Sequence, residues 1–152
     1  MRLSKTTNDT ISFLSYLARS QDAVVSIDDV KSNCKLSTGQ LNQISKALRL
    51  NGLIGTVRGR SGGVFLLKSP DEILIAEVLK ASETDFALTG CKHTKDRCTC
   101  LRYGGNVYCE RLEGAVAAFF TSLDGLTLSD LQDRNPGLGN LGTSKSPEQL
   151  QT

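Results

Sequence analysis

Apolar residues recur at helical spacing over residues 6–19, where Ile11, Leu14 and Ala18 form a stripe that Phe13 and Leu17 widen, predicting a helix with one face in a core. A second helix is expected from Ser26, an N-cap residue followed by the acidic pair Asp28-Asp29, and ends near Asn33. A third is expected from Ser37 to about Leu50, closing on Asn51-Gly52, with Leu41, Ile44 and Leu48 inward. Its opposite face carries Gly39, Asn42, Gln43 and Lys46 and no large apolar residue, by the advance of about 100° per residue in a helix.

After Leu53 the period changes from helical to extended. Residues 54–57 and 64–67 are short apolar or β-branched runs on either side of Arg58-Gly59-Arg60-Ser61-Gly62-Gly63, which predicts a β-hairpin with two arginines at its tip. Pro70 is expected to open a fourth helix through about Ala81, with Ile73, Ala76, Val78 and Leu79 buried. Residues 90–106 have little periodicity and are expected to form a loop. Over residues 108–123, Leu112, Ala115, Val116, Phe119, Phe120 and Leu123 form the cleanest helical stripe in the chain, a face that requires burial. Residues 127–133 predict one or two more helical turns, and the Gly, Pro, Ser and Gln-rich remainder is expected to be disordered.

The predicted fold class is therefore mostly α with a small β-hairpin: a winged helix-turn-helix domain plus a long dimerisation helix. The expected divisions are a DNA-binding domain over 1–81, a cysteine-rich segment over 82–107, the dimerisation helix and a terminal turn over 108–134, and a tail over 135–152. In a winged helix the third helix enters the major groove. Asn42 and Gln43 carry carboxamides that match the donor and acceptor pattern of adenine, and Ser37, Thr38 and Lys46 are suited to phosphate. Gln40 is assigned to the same DNA interface. On the hairpin tip, Arg58 and Arg60 can reach a phosphate or a narrow minor groove.

Charge supports a polyanionic partner only when the chain is divided. Residues 1–68 hold ten Lys/Arg against four Asp/Glu, whereas residues 69–152 hold eight against twelve, so the net charge of +2 conceals a basic N-terminal half. The composition is that of a soluble protein, with no apolar run near the length of a membrane helix and no signal-peptide pattern, so a cytoplasmic location is expected. The sequence offers no nucleophile and base pairing, phosphate loop or carboxylate pair, and no enzymatic activity is expected.

Four of the five cysteines, Cys91, Cys98, Cys100 and Cys109, fall in one short segment, which in a reducing compartment points to a metal site. A zinc site, which His93 can join, and a thiol-disulfide switch are the alternatives; the Cys98-Thr99-Cys100 spacing lacks the usual two-residue zinc knuckle. Cys34 stands apart and is read as a small packing residue.

Several segments together resemble one family. These are Met1-Arg2-Leu3-Ser4-Lys5, Asn51-Gly52-Leu53, Thr56-Val57 with the Arg58 to Gly63 tip, Glu83, Cys91, and the stretch from Cys109 to Leu131. They are similar to the iron-sulfur winged-helix regulators that include RirA, NsrR and IscR. The resemblance implies a homodimer on a palindromic operator and an iron-sulfur cluster as cofactor, with four irons favoured and two as the alternative. It implies Cys91 and Cys109 as ligands and leaves the middle ligand open between Cys98, Cys100 and both. Nitric-oxide-sensing relatives take a fourth ligand from an aspartate of the partner's first helix. Here that place is Asn8, with Asp9 adjacent, so the fourth ligand is Asp9, another cysteine of the segment or solvent. The opening segment resembles the iron-responsive RirA branch most, and iron-dependent repression is the function it implies.

Overall fold

The computed structural model describes residues 2–20, 23–83, 85–88 and 106–133. These fall into two compact units, one running from Leu3 to Glu83 and resuming at Gly125, the other spanning Thr84–Asp124 with the first two residues.

The first unit contains α1 (Lys5–Ala18), α2 (Ile27–Cys34), α3 (Thr38–Leu50), the strands β1 (Ile54–Val57) and β2 (Gly63–Leu66), and α4 (Ile75–Ser82). Each of the first three helices starts on a serine whose hydroxyl accepts from the backbone three residues on, namely Ser4 from Thr7, Ser26 from Asp29 and Ser37 from Gln40. Between α2 and α3 the chain turns sharply through Lys35, which has a positive φ of 52°. Phe13 and Leu14 of α1, Val30 of α2, Leu41, Ile44 and Leu48 of α3 and Val78 of α4 are fully buried together with Ile54 and Val64. At about 1.5–3 kcal/mol for each large apolar side chain buried, this core is the main stabilising term.

The hairpin pairs Ile54 with Leu66 and Val57 with Gly63 in antiparallel register. It is not isolated. Val25, just before α2, exchanges two 2.9 Å backbone hydrogen bonds with Val64, so the base of the wing is tied to the helical core through a third segment.

The fourth helix begins five residues later than the sequence predicts, and Pro70 does not open it. Ser69 and Glu72 close a separate turn, with the Glu72 carboxylate accepting from the Ser69 amide and hydroxyl. The backbone of Ile73 and Ile75 then bonds to Leu128 and Leu126, bridging Leu74 to Thr127. That pairing takes the Ile75 amide and the Ile73 carbonyl, groups that an extra helical turn would use. Leu128 is fully buried, and the short helix α6 (Asp130–Asp133) follows it.

In the second unit, α5 (Asn106–Thr121) is the long helix the sequence predicts. Phe120 meets Phe86 edge to face at 4.9 Å between centroids and Phe119 in the same manner at 5.3 Å. Leu112, Val116, Phe119 and Phe120 are half-buried, Ala115 is exposed, and Val107 and Tyr108 are largely exposed. No helix among the described residues is long and apolar enough to cross a membrane.

Glu83, at the end of α4, anchors the start of α1. Its carboxylate accepts from Thr7 Oγ1 and from the Ser4 amide, both at 2.5 Å, and Ser82 Oγ lies 3.1 Å from Thr7 Oγ1. The Thr7 hydroxyl first, and the Ser4 amide second, hold the Glu83 carboxyl below the usual glutamate range. A carboxylate with a depressed folded pKa stabilises the fold above its unfolded pKa, and the contribution is lost as pH falls through the folded value. Urea midpoints of the wild type are therefore expected to fall through the acid carboxylate range more steeply than those of Glu83→Gln, which starts lower at neutral pH. Parallel curves for the two proteins would contradict this role.

Candidate nucleic-acid interface and cysteine segment

The candidate recognition surface lies on α3. Its capping box is complete: the Gln40 amide donates to Ser37 Oγ at 3.3 Å while the Ser37 amide donates back to Gln40 Oε1 at 3.0 Å. This box fixes the helix start, and beyond it Thr38, Gly39, Asn42, Gln43 and Lys46 are all exposed. Gly39 has open space where a Cβ would stand, so the backbone there is free to approach a partner closely. The buried Leu41, Ile44 and Leu48 hold the opposite face, so this polar stripe points away from the core.

Of the residues assigned to DNA, Ser37 and Gln40 have side chains already engaged within the chain. Ser37 Oγ also donates to Gln40 Oε1 at 2.8 Å, and Gln40 Nε2 donates to Asp9 Oδ2 at 3.2 Å. Asn42, Gln43 and Lys46 have the exposure that contact with bases and phosphates requires.

Arg58 and Arg60 are exposed at the wing tip. Gly59 between them has φ 115°, a conformation that favours glycine, and its carbonyl accepts from the Gly62 amide at 3.0 Å to close the tip. The turn thus presents two guanidinium groups with no bulky neighbour.

Of the cysteines in the cysteine-rich segment, Cys109 is described: it is a free, buried thiol in the first turn of α5. That end of a helix favours negative charge, which suits a metal-bound thiolate. Cys91, Cys98 and Cys100, with His93, lie outside the described residues. Among the described residues no three His, Cys, Asp or Glu side chains gather to hold a metal. The two N-terminal candidates differ: Asn8 is exposed, whereas Asp9 is turned toward Lys5 and Gln40. Cys34 is half-buried with Sγ 3.8 Å from the Ser12 carbonyl, and burial first, then the Asp9 charge, pushes its thiol up, away from reactivity.

The role of Glu83 escapes sequence reasoning, as does the bond from Asp9 to Gln40. Each joins positions far apart in the chain, and the only sequence signal for either is the presence of Glu83 among the residues that carry the family resemblance.

Comparison with known proteins identifies a family for the chain. The profile of a family described as "Rrf2: Iron-dependent Transcriptional regulator" matches residues 3–134. The chain is 32% identical over its full length to Protein aau3 of Rhizobium meliloti (strain 1021), covering 98% of that protein. It is 33% identical to the HTH-type transcriptional regulator NsrR of Shouchella clausii (strain KSM-K16), over 98% of this chain and 100% of that one. Among solved structures, T. potens IscR superposes with a TM-score of 0.67 at 24% identity, over 93% of this chain and 94% of that one, a likeness of fold.

Proposed function

The chain belongs to the Rrf2 family of DNA-binding transcriptional regulators, and from that premise we propose that it is a homodimeric repressor whose operator affinity depends on an iron-sulfur cluster. Cys91, Cys109 and one or both of Cys98 and Cys100 hold the cluster. The observation that carries the reading is the gathering of four of five thiols within residues 91–109, inside the family match, with Cys109 buried and unpaired. Soft thiolate ligands suit iron-sulfur chemistry.

When bound, the cluster supplies a cross-link between thiolates that is lost when iron is withdrawn. The chain's own residues determine what such a link constrains. Cys91 lies eight residues beyond Glu83, which is hydrogen-bonded to the start of α1, and Cys109 lies in the first turn of α5. Holding the two thiols together limits the freedom of the connection between the DNA-binding unit and the dimerisation helix. In a dimer that freedom sets the spacing of two recognition helices on a palindrome. Four irons are preferred on the family resemblance alone; a response to iron supply is preferred because position 8 is asparagine, a neutral side chain and a poor replacement for a carboxylate ligand.

Protein purified without oxygen tests the reading through its visible absorption and its iron and sulfide content. Iron and sulfide in equal amounts with a visible absorption band are expected; a colourless protein holding zinc or no metal overturns it. The similarity to NsrR supports a second reading, a nitric-oxide-sensing repressor. Loss of DNA binding faster with stoichiometric nitric oxide than with a chelator would favour it.

The wing makes a separate prediction. If Arg58 and Arg60 hold phosphate, replacing each with alanine makes the log-log dependence of operator affinity on salt shallower by about 0.9 for every phosphate no longer neutralised. Affinity titrations over a range of salt concentrations measure it, and an unchanged slope would remove the wing from the phosphate-binding surface.

A further inference from the structure

We propose that Asp9 is a positioning residue of operator recognition, acting through Gln40, and that it is not a ligand of the cofactor. Asp9 is on α1, yet its side chain is only 15% exposed and is occupied by the recognition helix. Oδ2 accepts from Lys5 Nζ at 2.7 Å and from Gln40 Nε2 at 3.2 Å. Gln40 uses the other end of its amide for the N-cap, Oε1 accepting from the Ser37 amide at 3.0 Å and the Ser37 hydroxyl at 2.8 Å. The result is a continuous chain of polar contacts from Lys5 through Asp9 and Gln40 to Ser37.

Each member restrains the next. A glutamine in a capping box can rotate about its terminal bond and exchange oxygen for nitrogen; an acceptor at Asp9 Oδ2 selects the orientation in which Oε1 faces Ser37. The first turn of α3 is thereby set against α1, and with it the exposed Thr38, Asn42 and Gln43. Base-edge contacts depend on placement to within fractions of an ångström, because a hydrogen bond weakens steeply outside its narrow range of distance and angle. Phosphate contacts through flexible Lys46, Arg58 and Arg60 are more tolerant. Asp9 therefore acts on sequence discrimination more than on general affinity for DNA.

This inference rests on the reading of α3 as the recognition helix, and the experiment separates the two. Operator and random-duplex affinities are measured for Asp9→Ala, Asp9→Asn, Gln40→Ala, the double variant Asp9→Ala/Gln40→Ala and Asn42→Ala, alongside iron per chain and thermal midpoint. Asp9→Ala and Gln40→Ala are expected to lower operator affinity about tenfold while random-duplex affinity stays within about twofold, since each is credited with a base-reading geometry worth about one good base pairing. The double variant is expected to be no worse than either single one, because the two residues act as one unit. Asp9→Asn keeps a carbonyl acceptor for Gln40 and is expected to retain operator affinity, which a requirement for the Lys5 ion pair or for an anionic ligand would not allow. Iron content is expected to be unchanged in every variant. Loss of iron in Asp9→Ala but not in Gln40→Ala would overturn the proposal in favour of ligation. Wild-type operator affinity in Asp9→Ala while Asn42→Ala is impaired would overturn it and leave the recognition helix standing; wild-type affinity in both would remove α3 from recognition itself. If Asp9→Ala fails to fold, Gln40→Ala and Asp9→Asn still decide the matter.

Discussion

Replacing Cys91 or Cys109 with serine is expected to abolish the visible absorption and iron content of the purified protein and to weaken operator binding roughly 5- to 150-fold, the range of typical coupling between a ligand site and a second site. Serine is nearly isosteric with cysteine but is a poor ligand for a soft metal. The two variants should therefore keep the fold while losing the cofactor. Cys109 stands in α5, outside the unit that holds α1 to α4, so far-UV circular dichroism is expected to match the wild type. Cys34→Ser provides the contrast, because that thiol is half-buried beside Ser12 on the helical unit, and it should retain cluster and affinity. Single changes at Cys98 and Cys100 assign the middle ligand: the one whose loss lowers iron per chain is the ligand, and an effect from both makes the site all-cysteine. Full iron content in Cys91→Ser and Cys109→Ser alike would refute the assignment.

The second large effect is expected at Gly63, where β2 begins. A Cβ built there would stand 2.1 Å from the Val25 carbonyl oxygen and 2.7 Å from its carbon. Those atoms are backbone, and the same carbonyl accepts the Val64 amide at 2.9 Å. Making room means giving up the paired bonds between Val25 and Val64 that fasten the wing to the helices. Gly63→Ala is expected to cost about 2–4 kcal/mol, from two hydrogen bonds and the accompanying steric displacement. Chemical denaturation measures it. Operator affinity of the folded fraction should fall as well, because Arg58 and Arg60 lose their fixed base. A midpoint equal to that of the wild type would show that the Val25 pairing is dispensable.

The periodic parts of this fold are legible because they depend on short-range rules. Ser26 and Ser37 mark helix starts through bonds that span three residues, and Leu41, Ile44 and Leu48 identify a buried face by spacing alone. The Gly-rich tip around Arg58 and Arg60 identifies the wing. Features decided by distant partners are not legible. Residues 70–74 carry a helix-like apolar pattern, yet Leu74 is held in a bridge to Thr127, and no local signal announces that partner. Val25 contributes a single bridging residue, too little for a period-two pattern. For the site, the exposed stripe of Asn42, Gln43 and Lys46 follows from helical geometry, whereas the engagement of Gln40 depends on Asp9, thirty-one positions away. Asp9 is a candidate ligand in the sequence through the family resemblance, by its place beside Asn8. Its neighbours in the chain do not reveal that its carboxylate faces α3.

Coupling between the cofactor and operator binding is the central claim, and one titration addresses it directly. Operator affinity is measured by fluorescence anisotropy at a single salt concentration for the same oxygen-free preparation in three states: as purified, after chelation of iron, and after reconstitution with iron and sulfide. Tight binding, a drop of roughly 5- to 150-fold and recovery of the original affinity are expected in turn. Equal affinity in all three states would contradict the coupling.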